Sequence, residues 1–366
     1  MKSQFLIALM FFFVCMPSEV PAGSEAASIY AVVEVGSSGI KGQVVQMVQQ
    51  DPESPPIKLL KQFDPLNANA FSFEASASGK ISAEVARIRN EVQEKFKLPN
   101  DHFFVVGSSG IPTDVRETLA SKIYEETGRT IEYATPEMES DLLVRGIVPT
   151  HRLTQVIVLD IGSGNSRGAY VTKIQPEMSF SNFEVPWGTK TCASEINRIR
   201  RGADFLVAAD AFCTDRLIPA IKNQLTRAPG MQTLRRVYLV GGIAWAMATL
   251  THPYDQSGLW VRIAPAEIGA FYEKATENPE LLLHPDLSSP PENVPKGAAS
   301  KGAAEMAKIS KVFDEDQIAA GAFLLKTFAD EMHFDQKDAI FFRKDALYAW
   351  PQGYILQKIS EKNKAK

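Results

Sequence analysis

Two short segments carry the residues best suited to chemistry. Residues 30–45 read YAVVEVGSSGIKGQVV and residues 156–171 read VIVLDIGSGNSRGAYV. Glu34 falls on Asp160, Gly36 on Gly162, Ser37 on Ser163, Lys41 on Arg167 and Gly42 on Gly168, all at an offset of 126 residues. Each copy is an apolar strand ending in a carboxylate, then a Gly/Ser turn, then a second apolar run, which is the pattern of a β-hairpin. Gly36, Gly39, Gly162 and Gly164 allow the backbone to approach a ligand closely. The N–H and hydroxyl groups of such turns can face phosphate oxygens. A carboxylate at the strand end can hold a divalent cation. Two hairpins facing one another would clamp a phosphate chain from both sides. Two plain Gly/Ser hairpins are the simpler alternative. The register of acid and base in both copies favours phosphate.

Further glycine turns must be positioned by the elements around them. Arg236–Val240 predicts a strand running into Gly241-Gly242 and a helix over 243–250, a place where a phosphate or an adenine-ribose could rest. Phe103–Val106 predicts a strand ending in Gly107-Ser108-Ser109-Gly110, followed by a helix from Pro112 to Gly128. A strand is expected at 57–62, and a helix capped by Ser82 with Val85, Ile88, Val92 and Phe96 on its buried stripe. The segment PEMESDLLVRG, residues 136–146, predicts a short acidic helix. Glu139 borders the face that carries Leu142 and Leu143. Glu137, Glu139 and Asp141 are either solvated helix-start acids, or one of them enters a site.

In the second half, a helix is expected from Ser194 to Arg201, helical structure over 208–226, and a long helix over 314–332. Residues 284–303, rich in Pro, Gly and Ser, read as an exposed loop, and 358–366 as a polar tail. The order of elements gives an α/β fold of two facing lobes. Residues 27–150 form the first domain and 151–357 the second, with a cleft between them.

Composition narrows the function classes. The 366 residues are 45% hydrophobic and 22% charged, ordinary globular values. Lys and Arg number 39 against 43 Asp and Glu, a net charge of −4, so there is no basic excess to grip nucleic acid. The apolar run Phe5–Met16 is twelve residues long, too short to span a bilayer, and reads as the core of an export signal over 1–26. The mature chain is therefore expected to be secreted or periplasmic, with no membrane span. Cys192 and Cys213 then remain, either paired or as two buried thiols. The five histidines lack metal-ligand spacing.

Over roughly residues 29–356 the chain resembles the exopolyphosphatase/guanosine-pentaphosphate phosphatase (Ppx/GppA) family, within the actin-like ATPase, ribonuclease H-like superfamily. VVEVGSSGIKG is similar to that family's first phosphate loop and VLDIGSGNSRG to its second. TGRTIEYATPEMESDLLVRGIV is similar to its acidic segment, and VYLVGGIAWAMATL to its Gly-Gly motif. The resemblance implies a two-lobed fold with an interdomain cleft, and metal-assisted removal of terminal phosphate from an anhydride. It implies that Glu139 activates the attacking water. Gly36, Ser37, Ser38, Lys41, Gly162, Ser163, Gly164, Asn165, Ser166, Arg167, Gly241 and Gly242 would bind phosphate. Asp160 and Glu34 would hold Mg²⁺ or Mn²⁺. The substrate would be polyphosphate or a nucleotide, with the oligomeric state open to a homodimer. The chain departs from the pattern at several positions: Glu34 stands for Asp, Arg167 for the second-loop Glu, Asp141 for the Arg of the acidic segment and Ile243 for the Thr after Gly-Gly, while an Arg is lost within Gly110-Ile111-Pro112 and the closing Arg-Glu becomes Ala349-Trp350.

Overall fold

The computed structural model describes residues 28–36, 39–48, 56–64, 66–67, 77–255, 258–285 and 294–364. The expected export signal, Ser37 and Ser38 of the first turn, and residues 286–293 of the expected loop lie outside the described residues.

Two mixed sheets are built on one plan. The first contains β1 (Ile29–Gly36), β2 (Gly39–Met47), β3 (Ile57–Gln62), β4 (Leu66–Asn67), β5 (Phe103–Gly107) and β6 (Ile131–Tyr133). Their order is β3-β2-β1-β5-β6, with β4 also on β2. The second contains β7 (Val156–Ile161), β8 (Ser166–Lys173), β9 (Ser179–Val185), β10 (Arg236–Val240), β11 (Trp260–Ile263) and β12 (Ala339–Arg343). Read from β9, its order is β9-β8-β7-β10-β12-β11. In both, an antiparallel meander of three strands leads to a central strand that pairs in parallel with the next one. The sequence repeat is therefore a repeat of topology.

The central strands are apolar on both faces because both faces are covered. Along β1, Ala31, Val33 and Val35 join a core with the helices Ser78–Phe96 and Thr113–Thr127. Tyr30 and Val32 point the other way, into a core shared with the second sheet. Along β7, Ile157, Leu159 and Ile161 face the second sheet's own helices, and Val156 and Val158 face the shared core. This alternation is the two-residue period of a strand.

The shared core is filled by two helices, Pro136–Ile147 and Ala349–Lys364. They meet backbone to backbone. A Cβ on Gly353 would lie 1.8 Å from the Leu142 carbonyl oxygen, and one on Gly146 would lie 1.9 Å from that of Ala349. Buried Gln43 on β2 ties the last helix to the first sheet: its Nε2 donates to the Tyr348 carbonyl at 2.9 Å, and its Oε1 accepts from Gln352 at 3.0 Å.

Several expected boundaries move. The residues expected as a polar tail continue the last helix to Lys364, held by Lys358 to Glu132 at 2.8 Å and Lys362 to Asp101 at 2.6 Å. Part of the expected loop is a helix, Lys296–Val312, whose alanines outweigh its glycines. Ser82 lies inside its helix rather than at its cap, because the helix begins at Ser78. The helix expected at Ser194 begins at Thr189, where the Gly188 N–H donates to Thr191 Oγ1 at 2.8 Å.

Candidate functional site

Glu34 and Asp160 are the residues that follow Val32 and Val158 in the inward-facing rows of β1 and β7. Each is the last inward side chain of its strand, so both carboxylates end at the same side of the shared core. Strand register places a basic residue opposite each: Glu34 pairs with Lys41 and Asp160 with Arg167. The two repeats thus carry the same cross-strand ion pair.

The first pair is sealed. Lys41 Nζ lies 3.2 Å from Glu34 Oε1 and 3.4 Å from Oε2. The residues are 8% and 3% exposed, values low enough to make desolvation decisive. Burial raises the Glu34 carboxyl above the ordinary carboxylate range. Lys41 opposes that shift only in part, and nearby Glu139 adds to it.

The second pair reaches outward. Arg167 Nε donates to Asp160 Oδ2 at 3.4 Å, and its NH1 donates to Glu139 Oε2. Glu139 comes from the Pro136–Ile147 helix, which starts cleanly because Thr135 Oγ1 accepts from the Met138 N–H at 3.2 Å and Pro136 occupies the first turn. Glu139 is buried one turn before Leu142 and Leu143. Of the three acids in this helix start, it is the one that enters the site. Glu137 is exposed, and hydrogen bonds from the helix N-terminus lower its carboxyl. Asp141 is half-buried and pushed up to about 6 by desolvation.

The second oxygen of Glu139 accepts from the Ser109 N–H at 2.5 Å. Ser108 sits against the first hairpin: its N–H donates to the Val35 carbonyl at 2.8 Å, and its Oγ lies 3.2 Å from where a Cβ on Gly36 would be. Arg116 braces this turn, donating to the Ser109 and Ile111 carbonyls at 3.2 and 3.1 Å. Ser108 and Ser109 were not among the expected site residues. Gly107–Gly110 repeats Gly36–Gly39 residue for residue at the end of a neighbouring apolar strand, and that identity was the available signal.

The second Gly/Ser turn is docked by its carbonyl groups. Those of Gly162 and Ser163 accept from the Thr189 and Lys190 N–H groups at 2.9 Å each, and that of Gly164 accepts from Thr191 Oγ1 at 2.8 Å. A side chain on Gly188 would strike this turn, with Gly162 O 2.4 Å from its Cβ. The Gly162 N–H closes the turn onto the Asn165 carbonyl at 3.0 Å. Asn165 Nδ2 donates to Glu184 at 2.7 Å, and Ser166 Oγ donates to the Trp187 carbonyl at 2.8 Å. The Asn165 and Ser166 side chains therefore fix the turn. Gly241 comes in beside Asp160: it has φ 95°, and a Cβ there would lie 2.2 Å from Ile161 O and 2.7 Å from Asp160 Oδ1. Only glycine fits both restrictions. Gly242 opens the following helix against Phe313.

These carboxylates do not fit a divalent cation. Glu34 is held by Lys41 and Asp160 by Arg167. Among the described residues, no three His, Cys, Asp or Glu side chains gather as a ligand set. The residues expected to hold Mg²⁺ or Mn²⁺ instead hold two basic side chains. Two cavities, of about 410 Å³ beside Lys190 and Phe313 and of about 220 Å³ beside Ser140 and Asn182, are not lined by this cluster. Its members pack against one another.

Cys192 and Cys213 are free thiols in the core of the second sheet. Burial pushes Cys213 up to about 11 and raises Cys192 further. Among the described residues, no helix is long and apolar enough to cross a membrane.

No protein-family model matches the sequence, and no curated protein matches it. Solved structures do match. A Ppx/GppA enzyme from Aquifex aeolicus superposes with a TM-score of 0.62 at 13% identity, covering 90% of this chain and 99% of that one. An exopolyphosphatase from Cytophaga hutchinsonii gives 0.56 at 11% identity, covering 91% and 98%. An exopolyphosphatase-like protein gives 0.59 at 12% identity, covering 90% and 98%. Likeness at this level of identity shows a shared α/β fold across nearly the full length of each chain.

Proposed function

We propose that this chain, built on the fold of the Ppx/GppA proteins, is an exported phosphohydrolase that releases the terminal phosphate of inorganic polyphosphate. One observation carries the reading. Glu139, held by the Gly107–Gly110 turn beside the first hairpin, meets the Asp160–Arg167 pair of the second hairpin where both hairpins end. Residues 27–150 and 151–357 are read as the two halves that bring these groups together.

In the proposed reaction a water oxygen forms a bond to the terminal phosphorus. The anhydride P–O bond opposite it breaks, and its electron pair leaves on the oxygen of the shortened chain. Glu139 takes the water's proton, a general-base role. The N–H groups of Ser163, Gly164 and Asn165 turn to the phosphoryl oxygens while the carbonyl side of that turn stays docked. No step draws on Mg²⁺ or Mn²⁺, because Lys41 and Arg167 already partner the carboxylates that would bind it.

A second reading, a non-catalytic phosphate-chain binder, is favoured by the engagement of both Glu139 oxygens. A nucleoside tri- or diphosphatase is the alternative within enzymes. Phosphate release by residues 27–366 from tripolyphosphate, long-chain polyphosphate, ATP and GTP, with and without Mg²⁺ or Mn²⁺, separates the three. For the hydrolase, Glu139→Gln slows release by about 10²–10⁴-fold. Equal rates in variant and wild type remove Glu139 as the base. Silence on all four substrates in a chain that binds them leaves the binder.

A further inference from the structure

We infer that Arg167 is the phosphate-binding group of this site and that Glu139 is its built-in competitor: an incoming phosphoryl group takes over the guanidinium edge now held by Glu139, and does so without a divalent cation. The inference rests on the phosphate-chain reading above and adds the group that recognises the chain.

Three observations carry it. First, both repeats place a basic residue opposite the strand-end carboxylate, so the site supplies its own positive charge at two registered positions. Second, the two cations differ in availability. Lys41 spends its charge on Glu34 in a sealed pair. Arg167 divides its guanidinium between Asp160 and Glu139, and its side chain keeps 16% of its surface open, against 3% for Glu139. Arg167 is therefore the more accessible of the two to an incoming anion. Third, Glu139 does not depend on Arg167 alone, because the Ser109 N–H holds its other oxygen at 2.5 Å. When Arg167 turns to a phosphoryl group, Glu139 keeps that hydrogen bond and gains a free oxygen.

The exchange is chemically close to even on the arginine side. A guanidinium presents a planar fork that suits carboxylate and phosphate equally, and both bonds are charge-assisted. A lysine would lack the second edge. Arg167 can stay on Asp160 through Nε while NH1 changes partner, so the cation need not leave its strand. The pair Glu139–Arg167 then works as a latch that the substrate itself opens, freeing the base only when a phosphoryl group is bound.

The test is tripolyphosphate binding by calorimetry, supported by thermal shift, in metal-stripped buffer and again with Mg²⁺. Wild type is expected to bind without metal. Arg167→Gln is expected to lose about tenfold or more in affinity, the size of a lost charged hydrogen bond. Arg167→Lys is expected to recover part of it. Glu139→Gln is expected to bind severalfold more tightly than wild type while releasing phosphate more slowly, because it removes the competitor along with the base. This variant keeps the test alive if Arg167→Gln fails to fold. Binding only with Mg²⁺ overturns the inference and leaves the hydrolase standing, as does Glu139→Gln binding no more tightly than wild type. No binding and no release under any condition overturns both.

Discussion

The two hairpins are copies that have been put to different uses. In β1–β2, Glu34 and Lys41 satisfy each other in a sealed interior. In β7–β8 the equivalent pair is looser, 3.4 Å at its nearest atoms, and its cation extends to a carboxylate from another element. The difference is partly one of side-chain reach. Lys41 is a point charge that two oxygens of one carboxylate can satisfy, whereas the fork of Arg167 has donors left for a second partner. On the proposed function the first copy is a structural clamp and the second the working contact, although the sequence pattern is the same in both.

The sharpest way to break this comparison is to remove one cation at a time. A buried ion that loses its partner costs about 3–5 kcal/mol, while replacing both members by apolar groups is often near neutral. Lys41→Met should therefore lower the denaturation free energy by about 3–5 kcal/mol. The double variant Glu34→Leu/Lys41→Met should recover most of it. Arg167→Met should cost less stability than Lys41→Met, because Asp160 keeps contact with solvent and Glu139 keeps its bond to Ser109. If the two single variants cost the same by urea unfolding, the assignment of structural and working copies is wrong.

A second comparison concerns what holds the hairpins in register. Glu139 is carried by the Pro136–Ile147 helix, which lies against the last helix so closely that a Cβ on Gly353 would come within 1.8 Å of the Leu142 carbonyl oxygen. Gly353→Ala places a methyl into the Leu142 carbonyl. Overpacking of this kind costs about 1–3 kcal/mol. The expected result is a lower melting temperature together with weaker coupling between Arg167→Gln and Glu139→Gln in a double-mutant cycle. An unchanged coupling would show that the helix pair does not set the bridge.

How much of this was legible in the sequence follows from distance along the chain. The repeated hairpins, the strands at 57–62, 103–106 and 236–240 and the turn glycines were readable, because alternation and Gly/Ser turns are local signals, whereas the strand Trp260–Ile263 was not predicted. The acid–base register was readable as well, since a tight hairpin fixes its own pairing. Helix starts were missed where the cap is not a side-chain oxygen, as at Gly188. The helix beginning at Lys296 was masked by glycines and serines beside a Pro-rich stretch. Continuation of the last helix to Lys364 was hidden because it rests on pairs such as Lys362 to Asp101, 261 residues apart. The Arg167–Glu139 bridge has the same character. Sequence set Arg167 in register with Asp160 and still read Asp160 as a metal ligand, because register alone does not show that the guanidinium closes on that carboxylate and reaches on to Glu139, 28 residues away.

Asp141 offers the smallest and most specific check, because it stands two residues from Glu139 on the same helix yet takes no part in the bridge. Its carboxyl is half-buried and is raised to about 6 by desolvation, which a hydrogen bond from Asn182 and the charge of Arg145 only partly oppose. One oxygen, Oδ1, is buried without a hydrogen-bond partner. A folded-state value above the unfolded one means that the native chain binds this proton more tightly. The stability this contributes is complete below about pH 4 and is lost as pH rises through about 6. Asp141→Asn cannot ionise and should escape that loss. The variant is expected to match wild type near pH 4 and to exceed it by about 1 kcal/mol at pH 7.5, after allowance for solvent screening of a partly open group. Phosphate binding should be unchanged at both pH values. A gain in stability accompanied by altered binding would mean that Asp141 is coupled to the bridge through the helix, and that the working contact of the second hairpin extends one turn further than Glu139.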